Sequence, residues 1–184
     1  MDFTVLLSRD GVLAIGIVPP PSRVEARAHL RQAVREAAAQ WQNLDIEAIS
    51  VKSTPGTPPR LLLAGRPAGL SFSHDEGLSL AAIDLHGPVG IDVMRVQDIA
   101  DWFHLARDYL GPQVAQELAA CPDAQRSLRL AQTWTAREAA LKCAGKQLAE
   151  WDGVELNCKV QQIALQVEFV AMLATPKTKT GVGP

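Results

Sequence analysis

The chain has 184 residues, 47% of them hydrophobic, with 18 Lys and Arg against 20 Asp and Glu and a pI near 6.1. That length supports one sizeable domain or two small ones with a core that needs no covalent staples. A net charge of −2 leaves no global basic field for nucleic acid, so any anion must be met by a local cluster. Cys121, Cys143 and Cys158 are odd in number and form no CxxC pair, the pattern of ordinary thiols in a reducing compartment. Residues 1–10 carry acid and Arg and lack the apolar stretch of a signal peptide. The longest apolar runs are strand-length, too short to span a bilayer. The expectation is a cytoplasmic protein with neither a membrane nor a nucleic-acid partner.

In chain order, Phe3–Leu7 and Val12–Val18 read as strands joined at Asp10-Gly11, a hairpin signal. Pro19-Pro20-Pro21 stops the second strand, and Ser22 is placed to cap a helix whose Leu30, Val34, Ala37, Ala38 and Trp41 share one face. Ile46–Val51 reads as a strand and Lys52–Arg60 as a Pro- and Gly-bearing loop. Leu61–Leu63, Leu70–Ser73, Leu78–Ile83 and Val89–Val93 follow as short strands. Helical spacing runs from Gln97 to Tyr109, restarts at Pro112, and restarts again at Pro122-Asp123 in a long helix that Gly145 ends. Val154–Leu156 and Val160–Leu173 read as closing strands, and 175–184 as a mobile polar tail. The fold class predicted is α+β, with an N-terminal half over 1–86 and a C-terminal half over 87–174.

Four groups of residues could carry chemistry. Asp92 ends an apolar strand, where an acid can offer oxygens to a hard cation or merely cap the next helix. Trp134, Glu138 and Lys142 recur every four residues along one helical stripe, so Glu138 and Lys142 could face a metal and a phosphate or form an ordinary surface pair. Arg23, Arg27, Arg31 and Arg35 are also four apart, a mutually repelling row that a phosphate would stabilise; Arg27 and Arg31 are the candidates carried forward. Ser73 and His74 sit at a strand-to-turn junction, with Arg66 upstream. Neighbouring Ser73, His74 and Asp75 cannot be a hydrolase triad, whose members meet from distant chain positions. No G-x-S-x-G, G-x-x-x-x-G-K-[ST] or G-x-G-x-x-G motif is present.

In this order, Gly65-Arg66-Pro67, Phe72-Ser73-His74, Gly90-Ile91-Asp92-Val93-Met94 and Trp134-Thr135-Ala136-Arg137-Glu138-Ala139-Ala140-Leu141-Lys142 resemble the motifs of the surfactin-type 4′-phosphopantetheinyl transferases. The last two are specific as a pair. The resemblance implies two similar α+β halves packed as a pseudo-dimer within a monomer, each a small antiparallel sheet with a long helix. It implies transfer of 4′-phosphopantetheine from coenzyme A to a serine of an acyl or peptidyl carrier protein, with release of adenosine 3′,5′-bisphosphate. By the same resemblance Asp92 and Glu138 would bind Mg²⁺, and Glu138 would take the serine proton. Lys142 would hold a phosphate oxygen, and Arg27, Arg31, Arg66, Ser73 and His74 would hold the nucleotide end of coenzyme A. Met94 stands where many members carry a further acid, and Arg137 where Lys is usual. The alternative is a degenerate relative that binds coenzyme A or a carrier protein without transfer.

Overall fold

In the computed structural model, residues 2–20, 22–54 and 57–177 are described. The first hairpin forms as the sequence predicts: β1 (Thr4–Arg9) pairs antiparallel with β2 (Val12–Ile17). Asp10 and Gly11 both take positive φ, 52° and 75°, which matches a two-residue turn to the right-handed twist of its strands. Helix α1 (Arg23–Gln42) follows Ser22, which has extended backbone but makes no capping bond through its hydroxyl. Antiparallel β3 (Ile49–Lys52), β4 (Arg60–Leu63), β5 (Arg66–Asp75) and β6 (Leu78–Asp84) complete a six-stranded sheet in the order β1-β2-β6-β5-β4-β3. The second sheet is three-stranded, ordered β7-β9-β8, from β7 (Gly90–Arg95), β8 (Cys158–Ile163) and β9 (Phe169–Pro176). Between β7 and β8 lie α2 (Trp102–Tyr109), α3 (Pro112–Ala120) and α4 (Asp123–Cys143).

Several boundaries differ from the sequence reading. Ile46–Ala48 is a 3₁₀ turn because Asp45 accepts from the Glu47 N–H at 3.0 Å, leaving only Ile49–Lys52 to pair. Helix α2 starts at Trp102 rather than Gln97, since Val96 still donates to Glu168 O at 2.8 Å as an extension of the sheet. Val154–Leu156 is not a strand; Asp152 accepts from Val154 N at 3.0 Å and Gly153 turns the chain at φ 80°. Thr175 and Pro176 belong to β9, opposite Lys159 and Cys158, so the tail expected from 175 is paired at its start; 178–184 lie outside the described residues.

β2 and β6 are buried on both faces, and their side chains divide by parity. Leu13, Ile15, Ala81 and Ile83 pack under α1, whose Leu30, Ala33, Val34, Ala37 and Ala38 form the buried stripe. Val12, Ala14, Leu80 and Ala82 pack against Ile91, Val93, Ala171 and Leu173 of the second sheet. Sequences buried on two faces lose the polar alternation of a half-exposed strand. Helix α4 covers the far face of the second sheet through Ala139, Ala140 and Cys143 against Ala174. The layers are thus α1, six strands, three strands and α4. In each half a strand leads toward a long helix and the last strand returns beside it, β6 on β2 and β9 on β7. The halves are nonetheless unequal in strand number, and α2 and α3 have no counterpart in the first.

The close seat of α4 on β7 depends on Gly90. A Cβ there would stand 1.9 Å from Ala139 O and 2.6 Å from Cys143 N, both rigid helix backbone. Gly87, three residues earlier, has nothing within 4 Å of its would-be Cβ. Gly90→Ala is expected to cost at least about 2 kcal/mol by overpacking, and Gly87→Ala to stay within about 0.5 kcal/mol, both read from urea unfolding.

Candidate functional site

β7 carries the centre of the site. Its Ile91 and Val93 point into the core, so Asp92 and Met94 face the other way. Asp92 is 8% exposed, and a buried carboxylate needs charge and hydrogen-bond partners. It has both: Lys142 Nζ of α4 donates to Oδ1 at 2.7 Å, and Ser73 Oγ of β5 donates to the same oxygen at 2.8 Å. Lys142 Nζ also donates to Ile91 O at 3.1 Å and Phe72 O at 3.3 Å. An ammonium has three N–H donors, and here each finds an acceptor in the protein. Burial pushes the Asp92 carboxyl above the ordinary range, against the pull of the Lys142 charge and the bonds from Lys142, Ser73 and the Val93 N–H.

The outer edge of β7 is held by side chains rather than by a strand. Ser71 Oγ accepts from Ile91 N at 3.1 Å, Ser73 Oγ from Val93 N at 3.1 Å, and Asp75 Oδ2 from Arg95 N at 2.5 Å. Alternate residues of β5 thus serve alternate N–H groups of β7, which joins the halves and fixes the depth of Asp92.

Glu138, one turn before Lys142 on α4, is half-buried. Its carboxyl is raised first by burial and second by the Asp92 charge, with Lys142 acting the other way. The i,i+4 surface pair of Glu138 with Lys142 does not form; Lys142 reaches across to Asp92 instead. Two carboxylates that repel each other across a cleft suit a divalent cation. Mg²⁺ commonly takes one or two carboxylates and completes its shell with water and substrate phosphates, so this donor set fits. Among the described residues no group of three His, Cys, Asp or Glu could hold a metal.

Ser73, His74, Asp92, Glu138, Lys142 and Arg27 all line one cleft of about 1170 Å³ between the halves. Met94, Ile99, Leu105, Leu130 and Trp134 form its apolar wall. His74 Nδ1 lies 2.8 Å from the buried Ser79 hydroxyl, which fixes the ring at the cleft edge. A second cavity of about 620 Å³ shares Arg27, Phe72, His74 and Lys142 with the first and adds Arg31. Arg66 is the exception among the expected site residues, because it lines neither cavity. Leu63 pairs with Arg66 across Ala64-Gly65, both at positive φ, so Gly65-Arg66-Pro67 is a hairpin turn at the opposite end of β5 from His74. One wall of the second cavity is made by Thr54, Thr57, Pro58 and Pro59. Sequence reading took that segment only as a loop, since nothing in its composition marks it as a wall. Arg137, next to Glu138, stacks over Trp151 at 4.7 Å and donates to Val154 O at 3.3 Å; its cation anchors the segment after α4.

The Asp92–Lys142 pair gives a direct stability test. Lys142→Met leaves a buried carboxylate unpaired and is expected to cost about 3 kcal/mol. Combined with Asp92→Asn, the double variant is expected to lose less than the sum of the singles by at least about 1 kcal/mol, measured by urea unfolding; strict additivity would show that Asp92 does not depend on this ammonium.

A sequence profile of the 4′-phosphopantetheinyl transferase superfamily matches residues 88–180, just over half of the chain. That segment includes Asp92, Glu138 and Lys142 and excludes Arg27, Ser73 and His74. The chain is 31% identical over 91 residues to the 4′-phosphopantetheinyl transferase HetI of Nostoc, covering 48% of this chain and 38% of the relative. It is 27% identical over 94 residues to a putative 4′-phosphopantetheinyl transferase of Synechocystis, covering 51% and 38%. The matched segment is thus well under half the length of either curated relative.

Proposed function

Because this chain belongs to the 4′-phosphopantetheinyl transferase superfamily, we propose that it moves 4′-phosphopantetheine from coenzyme A to a serine of an acyl or peptidyl carrier protein. The observation that carries this reading is the convergence of Asp92, Glu138, Lys142, Ser73, His74 and Arg27 on one cleft between the halves. Such a cleft offers carboxylates and cations side by side, the pairing that a pyrophosphate and an attacking hydroxyl both need.

In this reading the carrier serine Oγ attacks the phosphorus that bears pantetheine. The new bond is Oγ–P, the bond broken is the pyrophosphate P–O, and adenosine 3′,5′-bisphosphate leaves. A serine hydroxyl at its ordinary pKa is a weak nucleophile, so a base must take its proton as the bond forms. Glu138 fills that role: it is half-buried, its carboxyl is raised, and it faces the cleft. Arg27 and His74 at the edge shared by the two cavities bind phosphate oxygens. Ser73 acts through Asp92, whose orientation it sets by its 2.8 Å bond. Mg²⁺ would be held by Asp92 and Glu138 and would neutralise the charge on the pyrophosphate. The apolar wall of Met94, Ile99 and Trp134 gives the pantetheine arm and the carrier a water-poor approach.

The test is intact-mass analysis of an apo carrier protein incubated with the chain, coenzyme A and Mg²⁺. The expected result is a gain of one phosphopantetheine with the wild type and none with Glu138→Gln, while the variant binds coenzyme A within about tenfold of wild type. No gain with any carrier from the wild type, despite coenzyme A binding, favours the degenerate alternative. Near-normal turnover by Glu138→Gln removes it as the base.

A further inference from the structure

The three cysteines line neither cavity, and the fold divides them into one and two. Cys121 follows α3, where its N–H donates to Leu118 O at 3.2 Å. Cys143 closes α4 and Cys158 opens β8. Both of these pack with Ala139, Ala140 and Ala174 in the cluster between α4 and the second sheet, together with Leu156 and Met172. No CxxC spacing announces them in the sequence; the pair exists only once α4 lies on the sheet.

Cys158 Sγ lies 3.8 Å from Ala140 O. Ala140 and Cys143 are three apart on α4 and share a face, and the two thiols there are within hydrogen-bonding reach of each other. Both backbones are held. A Cβ on Gly90 would stand 2.6 Å from Cys143 N, so α4 is seated tightly at that residue. Cys158 N donates to Leu156 O at 2.8 Å, and Cys158 stands opposite Pro176 of β9. Residues 144–157 between the two contain no helix or strand. The pair is also asymmetric. Cys143 is 3% exposed, with its Sγ 3.6 Å from Pro88 O, and burial pushes its thiol up to about 12, with the Cys158 contact adding to the rise. Cys158 is only partly buried, so a dissolved oxidant meets it first.

We propose that Cys143 and Cys158 are a reversible dithiol–disulfide pair, an oxidation site that fastens β8 to the end of α4. With hydrogen peroxide as oxidant, the Cys158 sulfur attacks one peroxide oxygen and the O–O bond breaks, giving a sulfenic acid and water. The Cys143 sulfur then attacks the Cys158 sulfur. The S–S bond forms, the S–O bond breaks, and the departing hydroxide leaves with the Cys143 proton as water. Two thiols and one peroxide thus give one disulfide and two waters. The attacking form is the thiolate, so the burial of Cys143 makes this closing step the slower one. The bond closes residues 144–157 into a loop, which restricts the unfolded chain more than the folded one. It also fixes the last turn of α4, the turn that carries Lys142.

The experiment treats the reduced protein with stoichiometric hydrogen peroxide, alkylates the remaining thiols in urea, and maps a tryptic digest by mass without reduction. Cleavage at Lys and Arg puts Cys143 in 143–146, Cys158 in 147–159 and Cys121 in 108–126. The expected product is 143–146 joined to 147–159, lighter than their sum by the two hydrogens lost, with Cys121 alkylated. Dithiothreitol should return all three thiols. Oxidised wild type should unfold at about 1 M higher urea than the reduced protein, and Cys158→Ser, which cannot form the bond, should show no shift on oxidation. Cys143 alkylated while Cys158 carries a sulfinic or sulfonic acid overturns the pairing. So does a bond that includes Cys121, or a digest with all three cysteines alkylated. A Cys143–Cys158 bond that leaves the urea midpoint unchanged, or lowers it, overturns the fastening.

Discussion

A carboxylate taken out of water has to be compensated where it lies, and Asp92 is compensated from two sides at once. Ser73 comes from the first sheet and Lys142 from α4. Each partner lies on a different piece of the fold, so the charge can be buried only when the two sheets and the last long helix are assembled. The same lysine donates to Phe72 O and Ile91 O and thereby ties the first half to the second. The site is the seam between the halves.

That seam has an unusual construction. Two strands that do not pair by backbone are joined by Ser71, Ser73 and Asp75 accepting from Ile91, Val93 and Arg95. Side-chain acceptors replace a missing neighbour for the edge strand, which keeps its N–H groups satisfied. They also let β7 stand off from β5 and leave a cleft of about 1170 Å³ beside them. Gly90 brings α4 close on one side, and the seam holds the cleft open on the other. Glu138 and Lys142, four residues apart on α4, diverge in consequence: Lys142 turns into the seam and Glu138 faces the cleft.

Much of this was legible in the residues. Period-two and period-3.6 patterns marked most strands and the long helices, and Asp10-Gly11 and Pro112 marked their joints by chemistry that admits few alternatives. The helical stripe predicted that Glu138 and Lys142 share a face, and the motif order brought Asp92 to them. Other parts were hidden because they depend on tertiary geometry. Nothing local says that Lys142 prefers a carboxylate fifty residues earlier to Glu138 one turn away. Gly65-Arg66-Pro67 read as a binding motif, yet Ala64-Gly65 shapes a hairpin that carries Arg66 away from both cavities.

Under the proposed transfer, Asp92 and Glu138 would form an incomplete cation site that the pyrophosphate of coenzyme A completes. With Met94 beside them, the two carboxylates would leave the rest of a bound cation's shell to water and phosphate oxygens. Calorimetric titration of Mg²⁺ into the protein, alone and with saturating coenzyme A, measures this linkage directly. The prediction is weak binding alone and at least about tenfold tighter binding with coenzyme A, lost in Asp92→Ala and largely retained in Met94→Ala. Equal Mg²⁺ affinity in the two titrations would contradict it.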